Sequence, residues 1–230
     1  MTDFFRESLL PLLLTLLGYQ LGLCCQRKLR TPLCNPIVIG ALFVLLVLRL
    51  TGLDIAGYQA GNGKISWLLT PATISLAIPL YGQLRILKKN LAAILVGIAA
   101  GTVSGLAFIA ALAVWLGFDQ ALSVSLLPKS VTTAIGVPLS ELSGGMVSVT
   151  AAAIVLTGIL ANVLSPYLFR LFRLKSPIAQ GVALGTAGHV IATGRANELG
   201  PLTGAVSSLS LVTAGLLTAV LFPVLINFIA

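Results

Sequence analysis

Residues 91–118 read LAAILVGIAAGTVSGLAFIAALAVWLGF, a run that contains no charged residue and no histidine. As an α-helix rising about 1.5 Å per residue, this run is long enough to cross the hydrocarbon core of a bilayer, which is about 30 Å thick. A helix also satisfies its own backbone hydrogen bonds, which is the condition for stability in lipid. The run therefore predicts a transmembrane α-helix.

The composition of the whole chain extends this prediction to all 230 residues. Hydrophobic residues make up 57% of the chain and charged residues only 9%, whereas a soluble domain is about 45–50% apolar and about 25% charged. The mean hydropathy is +1.06. This balance excludes a soluble enzyme, a secreted disulfide scaffold and a disordered segment. We expect a single integral membrane domain that covers residues 1–230.

Charge-free stretches predict six full spans, and two interrupted stretches accompany them. The predicted spans cover residues 8–26, 31–48, 65–84, 91–118, 142–169 and 201–228. Residues 123–141 and 177–200 contain prolines or glycines together with charged residues, so we expect broken or re-entrant segments there. The fold class is therefore an all-α polytopic membrane protein. A similarity in proline spacing between residues 71–79 and 128–138 suggests an inverted repeat, as in elevator-type transporters.

The basic residues predict the orientation of the spans. They concentrate in three clusters: Arg27, Lys28 and Arg30; Arg85, Lys88 and Lys89; Arg170, Arg173 and Lys175. Loops rich in lysine and arginine lie on the cytoplasmic side, so the net charge of +8 indicates an anionic membrane surface rather than a nucleic acid partner. The third cluster reaches that side only if residues 123–141 re-enter from outside. In this arrangement the N-terminus also lies outside. Whether residues 177–200 cross or re-enter stays open, and with it the side of the C-terminus.

Lys129 is the first candidate binding residue. A lysine within a membrane segment is costly unless it faces a cavity or a partner. Pro128 suits the first position of a helix. A helix starting there would bring backbone N–H groups, Lys129 and the hydroxyls of Ser130, Thr132 and Thr133 to one end, which suits a small carboxylate or phosphate. The alternative is that Lys129 extends to the outer interface while the hydroxyls cap a helix.

The second interrupted stretch carries His189 and Arg195 among four glycines. Arg195 is able to bind a carboxylate through two hydrogen bonds, or simply to pair with Glu198 three residues on. His189, with an ordinary pKa of about 6.5, is a candidate for carrying a coupled proton, and a packing role is the alternative. Glu141 is a second candidate for proton coupling, again with a structural role as the alternative.

Other polar residues are weaker candidates for lining a pore. They are Thr186, Asn197, Ser207 and Ser208. For the two serines, helix packing is the preferred alternative, because small residues let helices approach closely. The Gly/Ala face between residues 97 and 105 likewise predicts tight helix contacts, and we expect a homo-oligomer.

Catalytic and metal-binding motifs are not recognisable in the sequence. Cys24, Cys25 and Cys34 lack metal-ligand spacing, and His189 has no second histidine beside it. No serine is accompanied by a base, and no glycine-rich phosphate loop with a following lysine is present. We therefore expect no enzymatic activity, no metal and no cofactor.

Several motifs together resemble the LrgB/CidB family of bacterial membrane proteins, often called antiholin-like. They are Leu127-Pro-Lys-Ser-Val-Thr-Thr133, Leu156-Thr-Gly-Ile-Leu160, Gly181-Val-Ala-Leu-Gly-Thr-Ala-Gly-His189 with Gly194-Arg-Ala196, and Gly204-Ala-Val-Ser-Ser-Leu209. Two positions depart from the family pattern. Ala134 replaces a usual proline, and Gly188 replaces a usual serine before His189. The second change removes a hydroxyl from the stretch that is predicted to contact the substrate.

The resemblance implies a location in the bacterial cytoplasmic (inner) membrane, a small LrgA/CidA-type membrane partner, and one of two functions. One function is transport of small monocarboxylates such as pyruvate or glycolate. The other is antiholin-like control of murein hydrolase export and cell lysis, with a channel subunit as a third reading. The residues favour transport, because a lesion-forming protein has little use for Lys129, His189 and Arg195 in interrupted segments.

Overall fold

A computed structural model of the chain describes residues 9–29, 35–68, 71, 74–75 and 77–229, which form helices and turns without a strand. The predicted all-α class is confirmed. The helices are α1 Leu10–Leu29, α2 Pro36–Thr51, α3 Ile55–Gly61, α4 Gly63–Ser66, α5 Ala77–Gly82, α6 Leu84–Lys89, α7 Leu91–Leu116, α8 Gln120–Leu126, α9 Thr133–Leu142, α10 Val147–Leu171, α11 Pro177–Leu199 and α12 Pro201–Ile229. They belong to two compact units, Met1–Ser75 and Leu76–Ala230. That the chain is one membrane domain stays a prediction.

In the first unit, α1 and α2 pack through small residues. A Cβ atom added at Gly18 would lie 3.0 Å from the carbonyl oxygen of Gly40, so the two backbones are nearly in contact. The start of α2 follows from local chemistry, because the Asn35 side chain accepts a hydrogen bond from the N–H of Ile37 and Pro36 needs no partner there. These two helices occupy the predicted spans 8–26 and 31–48, although residues 30–34 lie outside the described part of the chain.

In the second unit, three helices are long and apolar enough to cross a membrane. They are Leu91–Leu116, Val147–Leu171 and Pro201–Asn227, and they match the predicted spans 91–118, 142–169 and 201–228. Ile94 and Ile98 of α7 form a buried core with Ala205 and Val206 of α12. The chain is therefore a membrane protein.

The predicted span 65–84 is not a continuous helix in the described residues. A turn at residues 67–68 follows α4, and α5 and α6 are separated at Gln83. Residues 69, 70, 72, 73 and 76 lie outside the described set, and so does part of the first copy of the suggested repeat. The inverted repeat and the total of six spans stay predictions.

Both stretches predicted to be interrupted contain a break. Residues 127–132 form turns between α8 and α9, and His189 interrupts α11 with φ 43° and ψ −140°. The detail predicted for Pro128 was wrong, because α9 begins at Thr133 rather than at the proline. Pro128 instead follows the end of α8. It has no N–H to donate to the carbonyl of Val124, so it ends that helix.

Candidate functional site

Lys129 lines an open groove of about 570 Å³ in the second unit. Helices α7, α10 and α11 form the walls, and the turn between α8 and α9 supplies Lys129 and Ser130. Apart from the lysine, the polar side chains of the lining are Ser130, Thr157 and Thr186, and the remaining lining residues are leucine, alanine and glycine. One cation, a few hydroxyls and apolar walls suit a small organic anion with a short carbon skeleton.

The break between α8 and α9 positions Lys129. The N–H of Lys129 donates to the carbonyl of Leu126 at 3.2 Å, which closes a turn directly after α8. The ammonium group donates to the hydroxyl of Ser130 at 3.1 Å. The carboxylates of Asp119, Glu141 and Glu198, all described in the same unit, form no salt bridge with Lys129. Its charge is thus available to an anionic ligand.

Close approach of α7 and α11 brings Thr186 into the groove. A Cβ atom added at Gly101 would lie 3.3 Å from Oγ1 of Thr186, and one added at Gly97 would lie 3.3 Å from Val182. This confirms the tight helix contacts predicted for the Gly/Ala face of α7. Thr186 donates to the carbonyl of Val182 at 2.7 Å, so its oxygen still has a lone pair for a ligand.

Thr132 and Thr133, which were predicted to lie around Lys129, are at the start of α9, and Glu141, predicted for proton coupling, is near its end. Thr132 is the N-cap residue of α9, and its carbonyl accepts hydrogen bonds from the N–H groups of Ile135 and Gly136. The side chain of Thr132 makes no capping hydrogen bond. Thr133 and Glu141 are exposed. These positions put Ser130, rather than the two threonines, beside the lysine.

His189 is buried at the break in α11 and bonds across to α10. Its Nε2 lies 2.9 Å from the carbonyl oxygen of Ile154, so the hydrogen on that nitrogen is the donor. The carbonyl of His189 accepts from the Thr193 hydroxyl at 2.8 Å, and Thr193 in turn lies 2.8 Å from the hydroxyl of Ser207. The histidine therefore belongs to a buried hydrogen-bonded network that joins α10, α11 and α12.

Arg195 pairs with Glu198, three residues on. The side chains of Arg195 and Glu198 are 32% and 51% exposed, so the pair lies towards the surface. This is the pairing that the sequence left open beside carboxylate binding. Asn197 is exposed as well.

Ser207 and Ser208 are fully buried in α12. A Cβ atom added at Gly185 would overlap the carbonyl of Ser207, so α11 packs directly on this part of α12. Both serines thus lie where α11 and α12 are in contact, and the choice between pore lining and helix packing stays a prediction.

Two hydroxyl-bearing residues near Lys129 were missed by the sequence interpretation. Thr157 lies on α10 and lines the groove, and Thr102 lies on α7 and is buried behind it. Both stand within apolar helices that carry no charge nearby, so nothing local distinguishes them from helix-packing threonines.

A second groove of about 460 Å³ lies in the first unit, between α1, α2 and α3. Its polar lining consists of Thr15, Tyr19, Tyr58 and Gln59, and it contains no charged side chain. Within the described residues, no three His, Cys, Asp or Glu side chains come together as metal ligands. The Lys129 groove is therefore the candidate site.

Comparison with known proteins agrees with the membrane fold. The LrgB-like family matches residues 15–228 of the chain. The uncharacterized protein YwbG of Bacillus subtilis is 34% identical over 221 residues, which are 96% of this chain and 98% of that protein. The holin-like protein CidB of Staphylococcus epidermidis is 32% identical over 222 residues, covering 96% of this chain and 97% of the relative.

A third relative spans the whole chain. The antiholin-like protein LrgB of Bacillus mycoides is 34% identical over 234 aligned positions, covering 100% of this chain and 98% of the relative. No solved structure matches the chain significantly. With a family match over nearly its full length and relatives above 30% identity, the chain belongs to the LrgB-like family of membrane proteins.

Proposed function

We propose that this protein transports small monocarboxylates of the pyruvate or glycolate type across the bacterial cytoplasmic membrane. The observation that carries the proposal is Lys129, a half-buried lysine without a carboxylate partner in its unit, which lines a groove in a helical membrane protein. A charge at membrane depth is expensive, and such residues mark substrate pathways.

The groove offers the chemistry that a short carboxylate needs. Lys129 supplies the positive charge, while Thr157 supplies a hydroxyl for a carboxylate oxygen. Leu160, Leu164 and the alanines of α11 form an apolar wall for the carbon skeleton. A single cation favours one carboxylate over two, because a dicarboxylate would bring one negative charge into the groove without a partner.

In this proposal the broken segments move during transport. The turn at residues 127–132 carries Lys129, and the break at His189 lies in the helix that carries Thr186. A helix interrupted at membrane depth is typical of transporters that expose one site alternately to the two sides. His189 and Glu141 are the proposed proton-coupling residues, and an LrgA/CidA-type protein is the proposed partner.

The test is uptake of labelled pyruvate and glycolate into proteoliposomes, with and without that partner and under an imposed pH gradient. Wild type should show saturable uptake, and Lys129→Gln should lower it by about tenfold or more, because the substitution removes the charge that pairs with the substrate. Lys175→Gln is the matched control, since Lys175 is exposed in the loop before α11. Equal uptake by the two variants would contradict the role of Lys129.

The same assay tests the remaining proposed residues. Arg195→Ala tests whether the arginine leaves Glu198 to bind substrate. If it does, the substitution should raise the KM for uptake. His189→Asn and Glu141→Gln test proton coupling. If either residue carries the coupled proton, its variant should no longer respond to the pH gradient but should still exchange substrate across the membrane. Absence of saturable uptake by the wild type, with and without the partner, would refute the carrier.

Antiholin-like regulation of murein hydrolase export and lysis is the second candidate function. It is favoured by the names of two relatives, a holin-like protein CidB and an antiholin-like protein LrgB. This function predicts that a deletion strain lyses abnormally and that Lys129→Gln restores normal lysis as well as wild type does. If the protein is instead a carrier that affects lysis through metabolism, Lys129→Gln should fail to restore normal lysis.

A further inference from the structure

A small cavity of about 20 Å³ lies directly behind the Lys129 groove. It is bounded by α7, the turn at residues 127–132, α11 and α12. Gly101, Gly105, Ser130 and Thr186 line both spaces, so the cavity adjoins the groove. Its volume is enough for one water-sized group.

Thr102 provides an independent indication that this cavity receives a ligand group. The residue lines the cavity and is only 7% exposed. Its Oγ1 is buried and makes no hydrogen bond within the described part of the chain. Buried hydroxyls in proteins are nearly always paired, and an unpaired one requires an explanation. A polar group that enters the cavity would supply the missing partner.

The hydrogen-bonding state of the lining defines the kind of group. Ser130 accepts from the ammonium of Lys129, so its own hydrogen is free to be donated. Thr186 already donates to the carbonyl of Val182, so its oxygen is free to accept. Thr102 is able to do either. Together they suit an oxygen atom that is a carbonyl or a hydroxyl.

The surroundings disfavour other occupants. Lys129 lies beside the cavity through its bond to Ser130, so a metal cation there would be repelled. The rest of the wall consists of the apolar residues Leu106, Leu127, Pro128, Val131 and Ala214 and the hydroxyl-bearing Thr218, and none of these side chains carries a charge to pair with a second ionic group. A carboxylate has a better position in the groove, at Lys129 itself.

We propose that this cavity is a subsite for the neutral oxygen on C2 of a 2-hydroxy or 2-oxo monocarboxylate, and that Thr102 is its specificity-determining residue. The proposal rests on the proposed function, because it takes the carboxylate of the same molecule to bind at Lys129. An acid with only hydrogens on C2 leaves Thr102 unpaired. The protein should therefore select glycolate over acetate.

The test is the ratio of kcat/KM for glycolate to that for acetate, measured by uptake into proteoliposomes. We expect a ratio of about tenfold or more for the wild type, because a polar subsite rejects an analogue that lacks the hydrogen-bonding group. Thr102→Val should lower the ratio to near one by reducing glycolate uptake while acetate uptake stays unchanged. Thr102→Ser, which keeps the hydroxyl, should keep the ratio. Ser104→Ala, an exposed position on the same helix, is the matched control.

The outcomes separate this inference from the proposed function. Equal loss of glycolate and acetate uptake in Thr102→Val, or an unchanged ratio, would show that Thr102 is structural or that the cavity holds only water. Either result overturns the subsite and leaves the carrier in place. A wild type that takes up neither acid nor pyruvate saturably overturns both.

Discussion

Gly158 shows how one missing side chain positions another. It lies on α10 one turn after Ile154, whose carbonyl bonds to His189. A Cβ atom added at Gly158 would lie 2.8 Å from Cε1 and 2.9 Å from Nε2 of the histidine. Such separations are too short for real atoms, so a larger residue requires the imidazole or the adjoining part of α11 to shift.

We therefore expect Gly158→Ala to destabilise the folded protein by roughly 1–3 kcal/mol, the usual cost of overpacking a tight contact. The measurement is thermal unfolding in detergent. Gly194→Ala is the control, because a Cβ atom there has no neighbour within 4 Å. Equal melting temperatures for the two variants would contradict the close contact between α10 and α11.

A buried hydrogen bond between two hydroxyl groups connects α9 to α10. Thr150 donates to the Ser140 hydroxyl at 2.7 Å, and neither residue has any exposed surface. Thr150→Val should destabilise the protein by about 1–2 kcal/mol, because it leaves the Ser140 hydroxyl without this donor. The double variant with Ser140→Ala should cost less than the sum of the two single changes, measured by denaturant unfolding. Strict additivity would indicate that the two residues act independently.

At the scale of an element, the break in α11 depends on the backbone of His189. Its φ of 43° lies in the region that residues with a Cβ atom rarely adopt. His189→Gly and His189→Ala both lose the hydrogen bond to Ile154, but only glycine removes the strain of the positive φ angle. We expect the glycine variant to be the more stable of the two by roughly 1 kcal/mol, in detergent unfolding measurements. The opposite order would mean that the helix straightens when the imidazole is removed.

The two broken elements differ in how far local sequence predicts them. Pro128 ends α8 through a local effect, the missing N–H group, so a break near that residue is readable from the sequence. In α11 the glycines indicate a weak helix, but the break falls on His189. Its position is set by the bond from the imidazole to α10, 35 residues away in the chain. The local sequence around His189 does not indicate that contact.

At the scale of the whole molecule, the basic clusters predict that the loops at Lys89 and Lys175 face the cytoplasm and the loop at Asp119 faces outside. The test is cysteine labelling in intact cells, starting from a variant without Cys24, Cys25 and Cys34. Asp119→Cys should react with an impermeant reagent added outside, whereas Lys89→Cys and Lys175→Cys should react only after the membrane is opened. Outside labelling of Lys175→Cys alone would mean that residues 123–141 cross the membrane rather than re-enter.

The class of this protein and the location of its unusual segments follow from local features of the amino-acid sequence. Long apolar runs form helices in lipid because a helix pairs its own backbone groups, and this requires no knowledge of neighbours. Proline, glycine and an isolated lysine act locally too, so the interruptions and Lys129 were identifiable. A family resemblance was readable from the same segments, and the match over residues 15–228 confirmed it.

Which side chains meet depends instead on how the helices pack against each other. The packing of the helices placed Thr157 and Thr186 in the same groove as Lys129, left Thr102 unpaired behind it, and paired Arg195 with Glu198. A transmembrane helix is apolar on every side, so the periodicity that marks the buried face of a soluble helix is lost. Which face of each helix packs inward, and therefore which hydroxyls line the groove, follows only from how the helices fit together.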